Sequence, residues 1–440
     1  MPDYFSLTMA QYTLIIGLLS NSDFRNNKRL NTLTCCFEWQ EGSVELLENI
    51  GNKLLEENDA FRLRPVYRFP WSWKQYIVPY ERRSFPVLSF ESEEAYESWL
   101  MENKDNDVLL LKDPLYDFRI LKRPGNGHTL WIQMHHYVTD GYSMKLMAQQ
   151  VRELDRFYSQ GIPRFLPKPG SYRDFVESER SYRRSEDLKE DRAYWRKIFR
   201  YHKDFSFPAG SRSMKIACHA QTLTVDGALY KALCQYARKE GISVSSVLSS
   251  CGAMVVHIMT GATCFTMATL SHGRTDGVSR RTMGCMMNSP VMMYSIDPLE
   301  SFTKFCQGNY QENLEMLRHL RYSSLDFTPL SYALCMSHGM NFNHSWILIS
   351  QMDYESAFVD ADPRGRMFWS DTNVSQFYAA VFDVPKEGRV TLELRYQTRR
   401  FKDEEIRKLL AAYYNILSIF MRKPDQPMRE VLKEAEEELI

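Results

Sequence analysis

The sequence carries no GxSxG elbow, no glycine-rich phosphate loop and no dinucleotide fingerprint, so the usual marks of a serine hydrolase, a kinase and a hydride-transfer enzyme are missing. It has no CxxC pair, and its nine cysteines are an odd number, which argues against a disulfide framework and fits a reducing compartment. No apolar run reaches the roughly eighteen residues that a bilayer-spanning helix needs. No basic-then-apolar leader with a small-residue cleavage site opens the chain. Net charge is also absent: 55 basic residues balance 55 acidic ones, so no overall field draws the chain toward nucleic acid or an anionic membrane. Together these absences predict a soluble, cytoplasmic protein with neither nucleic-acid nor membrane partners. Metal-ligand clusters are missing too, since His338 and His344 lie in a loop-like stretch without matching partners, and no metal is expected.

What is present is a chain of 440 residues and 51.8 kDa, more than one hydrophobic core usually holds, which predicts two domains. The pattern is α/β in both halves. In the first, a helix is expected over Ser43 to Asn58. Strands Asp117 to Lys122 and His128 to His135 flank the turn cluster Pro124-Gly125-Asn126-Gly127. Pro163, Pro167, Pro169 and Gly170 mark a boundary, giving domains 1–170 and 171–440, with a connecting helix from Ser171 to Arg200 opening the second. The mixed charges from Glu177 to Lys197 read as a solvated helix face. The second half then predicts strands at Cys218 to Val225, Cys264 to Leu270, Val374 to Val384 and Arg389 to Arg395. Helices are expected at Ala228 to Glu240, Ser243 to Thr260 and Asp403 to Met421. There is no tandem repeat and no recognisable appended carrier module.

Chemistry concentrates in Met134-His135-His136-Tyr137-Val138-Thr139-Asp140-Gly141, a constellation that ten histidines in 440 residues seldom form by chance. A histidine of ordinary pKa, about 6.5, can take a proton near neutrality from an amine or hydroxyl that attacks a carbonyl. Asp140, four residues after His136, fits a geometry-holding carboxylate paired with an arginine. Gly141 would let the backbone turn sharply and bring its N–H close to a ligand, as an oxyanion donor must. Apolar positions at Met144, Met147, Ala148, Val151 and Leu154 follow helical spacing, so the motif joins a strand to an amphipathic helix whose N-terminus favours negative charge.

With this HHxxxDG pattern the chain resembles a condensation domain of nonribosomal peptide synthesis, within the chloramphenicol acetyltransferase-like superfamily. Leu7-Thr8-Met9-Ala10-Gln11 resembles that family's opening Ser-x-Ala-Gln motif, and Asn58-Asp59-Ala60-Phe61-Arg62 its His-Glu-x-Leu-Arg motif with Asn for His. Tyr172-Arg173-Asp174-Phe175 fits Tyr-x-Asp-Phe, and Met283-Gly284 with Asn288-Ser289 resembles Ile-Gly-x-Phe-Val-Asn-Thr. The motifs come in the family's order along nearly the whole chain. Three departures stand out. His319-Leu320-Arg321-Tyr322-Ser323-Ser324 keeps only the His and Tyr of His-Gln-Asp-Tyr-Pro-Phe, and the family's final arginine-rich motif is not recognisable. Met286-Met287 replace Phe-Val, which either softens a tunnel wall or repacks a core.

The resemblance implies two acetyltransferase-like lobes in a V-shaped pseudo-dimer with a central tunnel. It also implies amide formation between an acyl or aminoacyl thioester on a carrier protein and an amine, either a small molecule or itself carrier-bound. His136 matches the reactive histidine that deprotonates or positions the amine, and His135 would buttress the loop. Asp140 matches the structural aspartate, whose arginine partner from the second lobe would be Arg274. No cofactor is implied, since the phosphopantetheine arm arrives on the substrate, and a monomer is expected. Two rivals share the superfamily. One is a coenzyme A-dependent O- or N-acyltransferase, whose plant-type members carry an Asp-Phe-Gly-Trp-Gly motif that this chain lacks. The other is a non-catalytic module that recruits a carrier protein. Such modules tend to lose the reactive histidine, whereas His136, Asp140 and Gly141 are all retained here.

Overall fold

A computed structural model describes residues 2–20, 31–68, 72–200, 217–327, 348–350, 354–369 and 377–437. Contacts divide them into two units, one within Met1–Ser185, His272–Met287 and Tyr354–Ser370, the other within Glu186–Ser271, Asn288–Asp353 and Asp371–Ile440.

The first unit is built on a five-stranded sheet in the order Gly365–Phe368, Thr32–Trp39, His128–His135, Tyr116–Lys122, Val87–Ser89. All pairs are antiparallel except the last, which is parallel. Because side chains alternate along a strand, the neighbours Cys35 and Cys36 face opposite ways. Cys35, Phe37, Ile132, Met134 and Phe118 join the core formed with the helices Val44–Glu57 and Gly141–Gln160. Cys36, Trp131 and Leu121 pack instead on Tyr96 and Leu100 of the helix Glu93–Asn103. Sheet and helices therefore form layers, with the motif strand His128–His135 at the centre of the sheet, paired on both edges. The expected hairpin forms around Gly125, which adopts φ 75°. The predicted Ser43–Asn58 helix spans Val44–Glu57, with Ser43 as N-cap accepting the Leu46 N–H.

The second unit carries a six-stranded sheet ordered Cys218–Val225, Arg389–Gln397, Phe377–Val384, Leu348–Ser350, Cys264–Thr269, Val291–Ser295. Its core joins Val247, Cys251 and Met254 of the helix Val244–Thr260 to Ile406, Ile416 and Phe420 of the helix Asp403–Arg422. Residues 374–376 of the predicted Val374 to Val384 strand lie outside the described residues, as do His338 and His344. Among the described residues no single helix is long and apolar enough to cross a membrane. Gly227–Glu240 and Val244–Thr260 reach that length only together, across a 107° bend. No group of three or more His, Cys, Asp or Glu side chains that could hold a metal ion occurs among the described residues.

Two sequence expectations change. The single Ser171–Arg200 helix is two helices, Tyr172–Tyr182 and Asp187–Arg200. The break follows from Ser185, whose N–H and hydroxyl both bond the Tyr182 carbonyl, the acceptor that a continuing helix would offer to Glu186. The boundary accordingly falls between Ser185 and Glu186 rather than at 170/171, because Tyr172–Tyr182 is tied to the first unit. Asp59 accepts both the Ser171 hydroxyl and the Tyr172 N–H, and Glu179 accepts the Met9 N–H. The second change is that 272–287 and 354–370, late in the sequence, belong to the first unit. Gly365–Phe368 supplies an edge strand of its sheet, and Arg274 its buried cation.

Candidate active site

At the end of the strand His128–His135 the chain enters a short 3-10 turn, His136–Val138, and then the helix Gly141–Gln160. The turn sends the two histidines to different surroundings. His135 is 2% exposed and its Nδ1 accepts the Tyr137 N–H at 2.9 Å. Its ring protonation is pushed down to about 3 by burial and by the neighbouring His136. His136 is half-buried, the one residue of Trp131–Asp140 that is not fully buried. Its Nδ1 lies 4.0 Å from Cys285 Sγ.

Asp140 caps the helix and is 2% exposed. Its Oδ1 accepts the Ser143 N–H at 2.8 Å and Arg274 Nη2 at 3.1 Å. Its Oδ2 accepts Arg274 Nη1 at 2.9 Å and the Met286 N–H at 3.0 Å. The pair is thus a two-pronged fork between a guanidinium and a carboxylate. Burial alone would raise the Asp140 carboxyl. The charge and hydrogen bonds of Arg274, with the N–H groups of Met286 and Ser143, outweigh burial and hold it below the usual carboxylate range. Arg274 also donates to the carbonyls of His272, Thr282 and Gly284 and to Ser143 Oγ, and its guanidinium lies 4.7 Å from the centre of the Tyr142 ring. Segment 272–287 is thereby stapled onto the motif.

Two glycines permit that approach. Gly273 has φ 65°, and a Cβ there would lie 1.8 Å from the Met286 carbonyl oxygen. Gly284 has φ 142°, and its Cβ would lie 2.1 Å from the Tyr172 ring. Gly141 does not make the sharp turn expected of it. It is the first residue of the helix and is not among the left-handed glycines, so the chain turns in the 3-10 segment before it.

The other motifs of the first unit are hydrogen-bonded to this segment or to its helix. Thr8 Oγ1 lies 3.1 Å from Tyr172 Oη, and that hydroxyl donates to the Cys285 carbonyl at 2.7 Å. Gln11 Nε2 donates to Gln75 Oε1, which also receives the Tyr137 hydroxyl. Asn58 Nδ2 bonds Gln150 Oε1 on the motif helix. Met286 is 3% exposed in the first unit's core, so at that position the replacement repacks a core. In the second unit Asn288 pins the degenerate motif, donating to the Leu320 and Tyr322 carbonyls and accepting from the Ser324 N–H, while His319 Nδ1 lies 2.7 Å from Asp191. Sequence reasoning passed over Ser143, Gln75 and Cys285. Cys285 sits at the variable position of the motif that holds Gly284, the one signal that pointed to it.

His135 makes a pH-dependent contribution to stability. Its folded pKa, about 3, lies below the unfolded value of about 6.5. The unfolded chain therefore binds the extra proton first, and stability is lost as pH falls from about 6.5 toward 3. Chemical denaturation across that range should show the loss, and His135→Gln should flatten it. An equal slope in the variant would remove His135 as its source.

Comparison with known proteins gives consistent matches. A family model, Condensation domain, matches residues 16–440. A plipastatin synthase subunit of Bacillus subtilis (strain 168) is 21% identical over 97% of this chain, and bacitracin synthase 3 of Bacillus licheniformis is 21% identical over 75%. The chain spans only 17% and 5% of those two proteins. Among solved structures, the first condensation domain of the calcium-dependent antibiotic synthetase, bound to a substrate analogue, matches with a TM-score of 0.76 at 18% identity, covering 97% of this chain and 98% of that one. A starter condensation domain of rhizomide synthetase in complex with C8-CoA matches with a TM-score of 0.77 at 18% identity, covering 97% and 96%. The condensation domain of the monacolin K polyketide synthase gives 0.77 at 14%, covering 97% and 99%. These structural likenesses establish the fold.

Proposed function

Because this chain belongs to the condensation-domain family, we propose that it joins an acyl or aminoacyl group, carried as a thioester on a carrier protein, to an amine and releases an amide. The observation that carries this reading is the half-buried His136 on an otherwise buried segment whose loop is held by the Asp140–Arg274 fork. A thioester carbonyl is already activated. The protein needs to hold the amine against it, accept one proton and stabilise the oxyanion.

His136 Nε2 takes the proton as the amine nitrogen bonds to the carbonyl carbon. The carbon–sulfur bond of the tetrahedral intermediate then breaks, and the thiol leaves with a proton returned by the imidazolium. The N-terminus of Gly141–Gln160 offers its positive end to the developing negative charge. Asp140 and Arg274 hold the helix and loop in register and do not touch the reacting atoms. The steps draw on no metal or redox group. The pantetheine arm is part of the substrate.

A second reading, delivery of the donor by coenzyme A, is favoured by one observation, the C8-CoA bound to the rhizomide starter domain. Intact-mass spectrometry separates the two. Acyl-loaded carrier protein and, in parallel, acyl-coenzyme A are each incubated with this protein and a pool of amines, with His136→Ala as control. His136-dependent loss of acyl from the carrier, with amide appearing, is the expected result. Transfer from coenzyme A alone would move the chain to the second reading. Stable carrier binding without transfer would make it a recruiting module.

A further inference from the structure

The mechanism above leaves one buried group beside His136 unused. The Cys285 sulfur lies 4.0 Å from His136 Nδ1, and the residue is fully buried. It is fixed from several directions. Its carbonyl receives the Tyr172 hydroxyl, and the N–H groups of its neighbours Gly284 and Met286 are bonded to Ser143 Oγ and Asp140 Oδ2. Burial, and then the nearby Asp140 charge, push the thiol well above its ordinary range. The sulfur is therefore a neutral thiol at working pH, without the thiolate character of a covalent nucleophile. What remains open to it is a hydrogen bond with the imidazole.

A neutral imidazole carries one N–H and one lone pair, and the partner at one nitrogen decides which nitrogen holds the proton. A base acting through Nε2 needs its proton on Nδ1. We infer that Cys285 is a positioning residue for His136: its sulfur accepts the Nδ1–H and so holds the ring in the tautomer that leaves the Nε2 lone pair for the acceptor amine. The inference rests on the reading of His136 as the base. It connects Thr8 and Tyr172 to the reaction, because their paired hydroxyls fix the Cys285 carbonyl and through it the sulfur.

Three variants test it. Cys285→Ala removes the sulfur, Cys285→Val fills the space without an acceptor, and Cys285→Ser restores one. With carrier-bound donor and amine, kcat is expected to fall about tenfold in the Ala and Val forms, the scale of one lost hydrogen bond, with KM for both substrates unchanged. The Ser form should recover most of that loss. Long-range nitrogen NMR of histidine-labelled protein should find His136 protonated at Nδ1 in the wild type and shifted toward Nε2–H in the Ala and Val forms.

A Val form with full kcat and an unchanged tautomer would overturn the inference and leave Cys285 as packing alone. A wild-type spectrum showing Nε2–H would overturn it as well, even if no variant folded. Failure of the functional reading is told apart by His136→Ala. If wild-type turnover does not depend on His136, that reading falls, while the wild-type tautomer still decides what Cys285 does.

Discussion

Arg274→Ala is expected to destabilise the first unit by about 3–5 kcal/mol, the usual cost of removing one partner from a buried ion pair. Both side chains lie out of water, at 0% and 3% exposure, so the variant leaves an unpaired carboxylate in a low-dielectric setting. It also orphans the carbonyls of His272 and Thr282. Lysine will not restore the pair, because an ammonium cannot present two parallel N–H groups to Oδ1 and Oδ2 while bonding those carbonyls.

The pH response follows from the same geometry. Asp140 is held below the usual carboxylate range. Its contribution is complete above the unfolded pKa, about 3.9, and is lost as pH falls through the lower folded value. In Arg274→Ala the carboxyl keeps its burial and loses its counter-charge, so its folded pKa rises toward the unfolded value and the acid-side loss of stability that wild type shows should shrink. Urea unfolding of wild type, Arg274→Ala, Asp140→Ala and the double variant measures this. The double variant should cost less than the two singles combined, since it leaves no lone buried carboxylate. A cost under about 1 kcal/mol for Arg274→Ala would remove the fork as the staple of segment 272–287.

His136→Ala has the largest expected effect on rate, a fall in kcat of roughly 10²- to 10⁴-fold, the range for removing a positioned general base. Melting temperature should hardly move, because His136 is half-buried and its ring's one polar contact among the described residues is a long one, at 4.0 Å. His135→Ala should show the opposite pattern. It empties a buried site and orphans the Tyr137 N–H, so stability falls first and rate only through the displaced turn. Two adjacent histidines thus separate by which measurement each one moves. If His135→Ala lost rate with stability intact, the division of roles would be reversed.

Much of this site is legible in one dimension because its parts are local. The Asn126-Gly127 turn, the alternation through His128 to His135 and the apolar spacing after Gly141 all act over a few residues, so strand, turn and helix can be read in place. Arg274 was reachable only through resemblance, since nothing within ten residues of it points to Asp140. The assignment of 272–287 and 354–370 to the first unit could not be read at all. It rests on long-range contacts, such as the pairing of Cys36 with Arg366 along the sheet edge. The break at Ser185 was hidden for another reason. A charged amphipathic pattern runs on through it, and only the doubly occupied Tyr182 carbonyl ends the helix. Gly141 shows how a residue type misleads: its freedom to turn is real, but the preceding 3-10 segment has already turned the chain.

The most direct measurement is single-turnover loss of acyl from a loaded carrier protein, followed by rapid quench with amine present, in wild type and in His136→Ala of matched melting temperature. Wild type should transfer the acyl group to the amine at a rate that rises with amine concentration, and the variant should fall to within a few-fold of the uncatalysed reaction. Equal rates in the two proteins would contradict a catalytic His136, and with it the assignment of amide formation to this site.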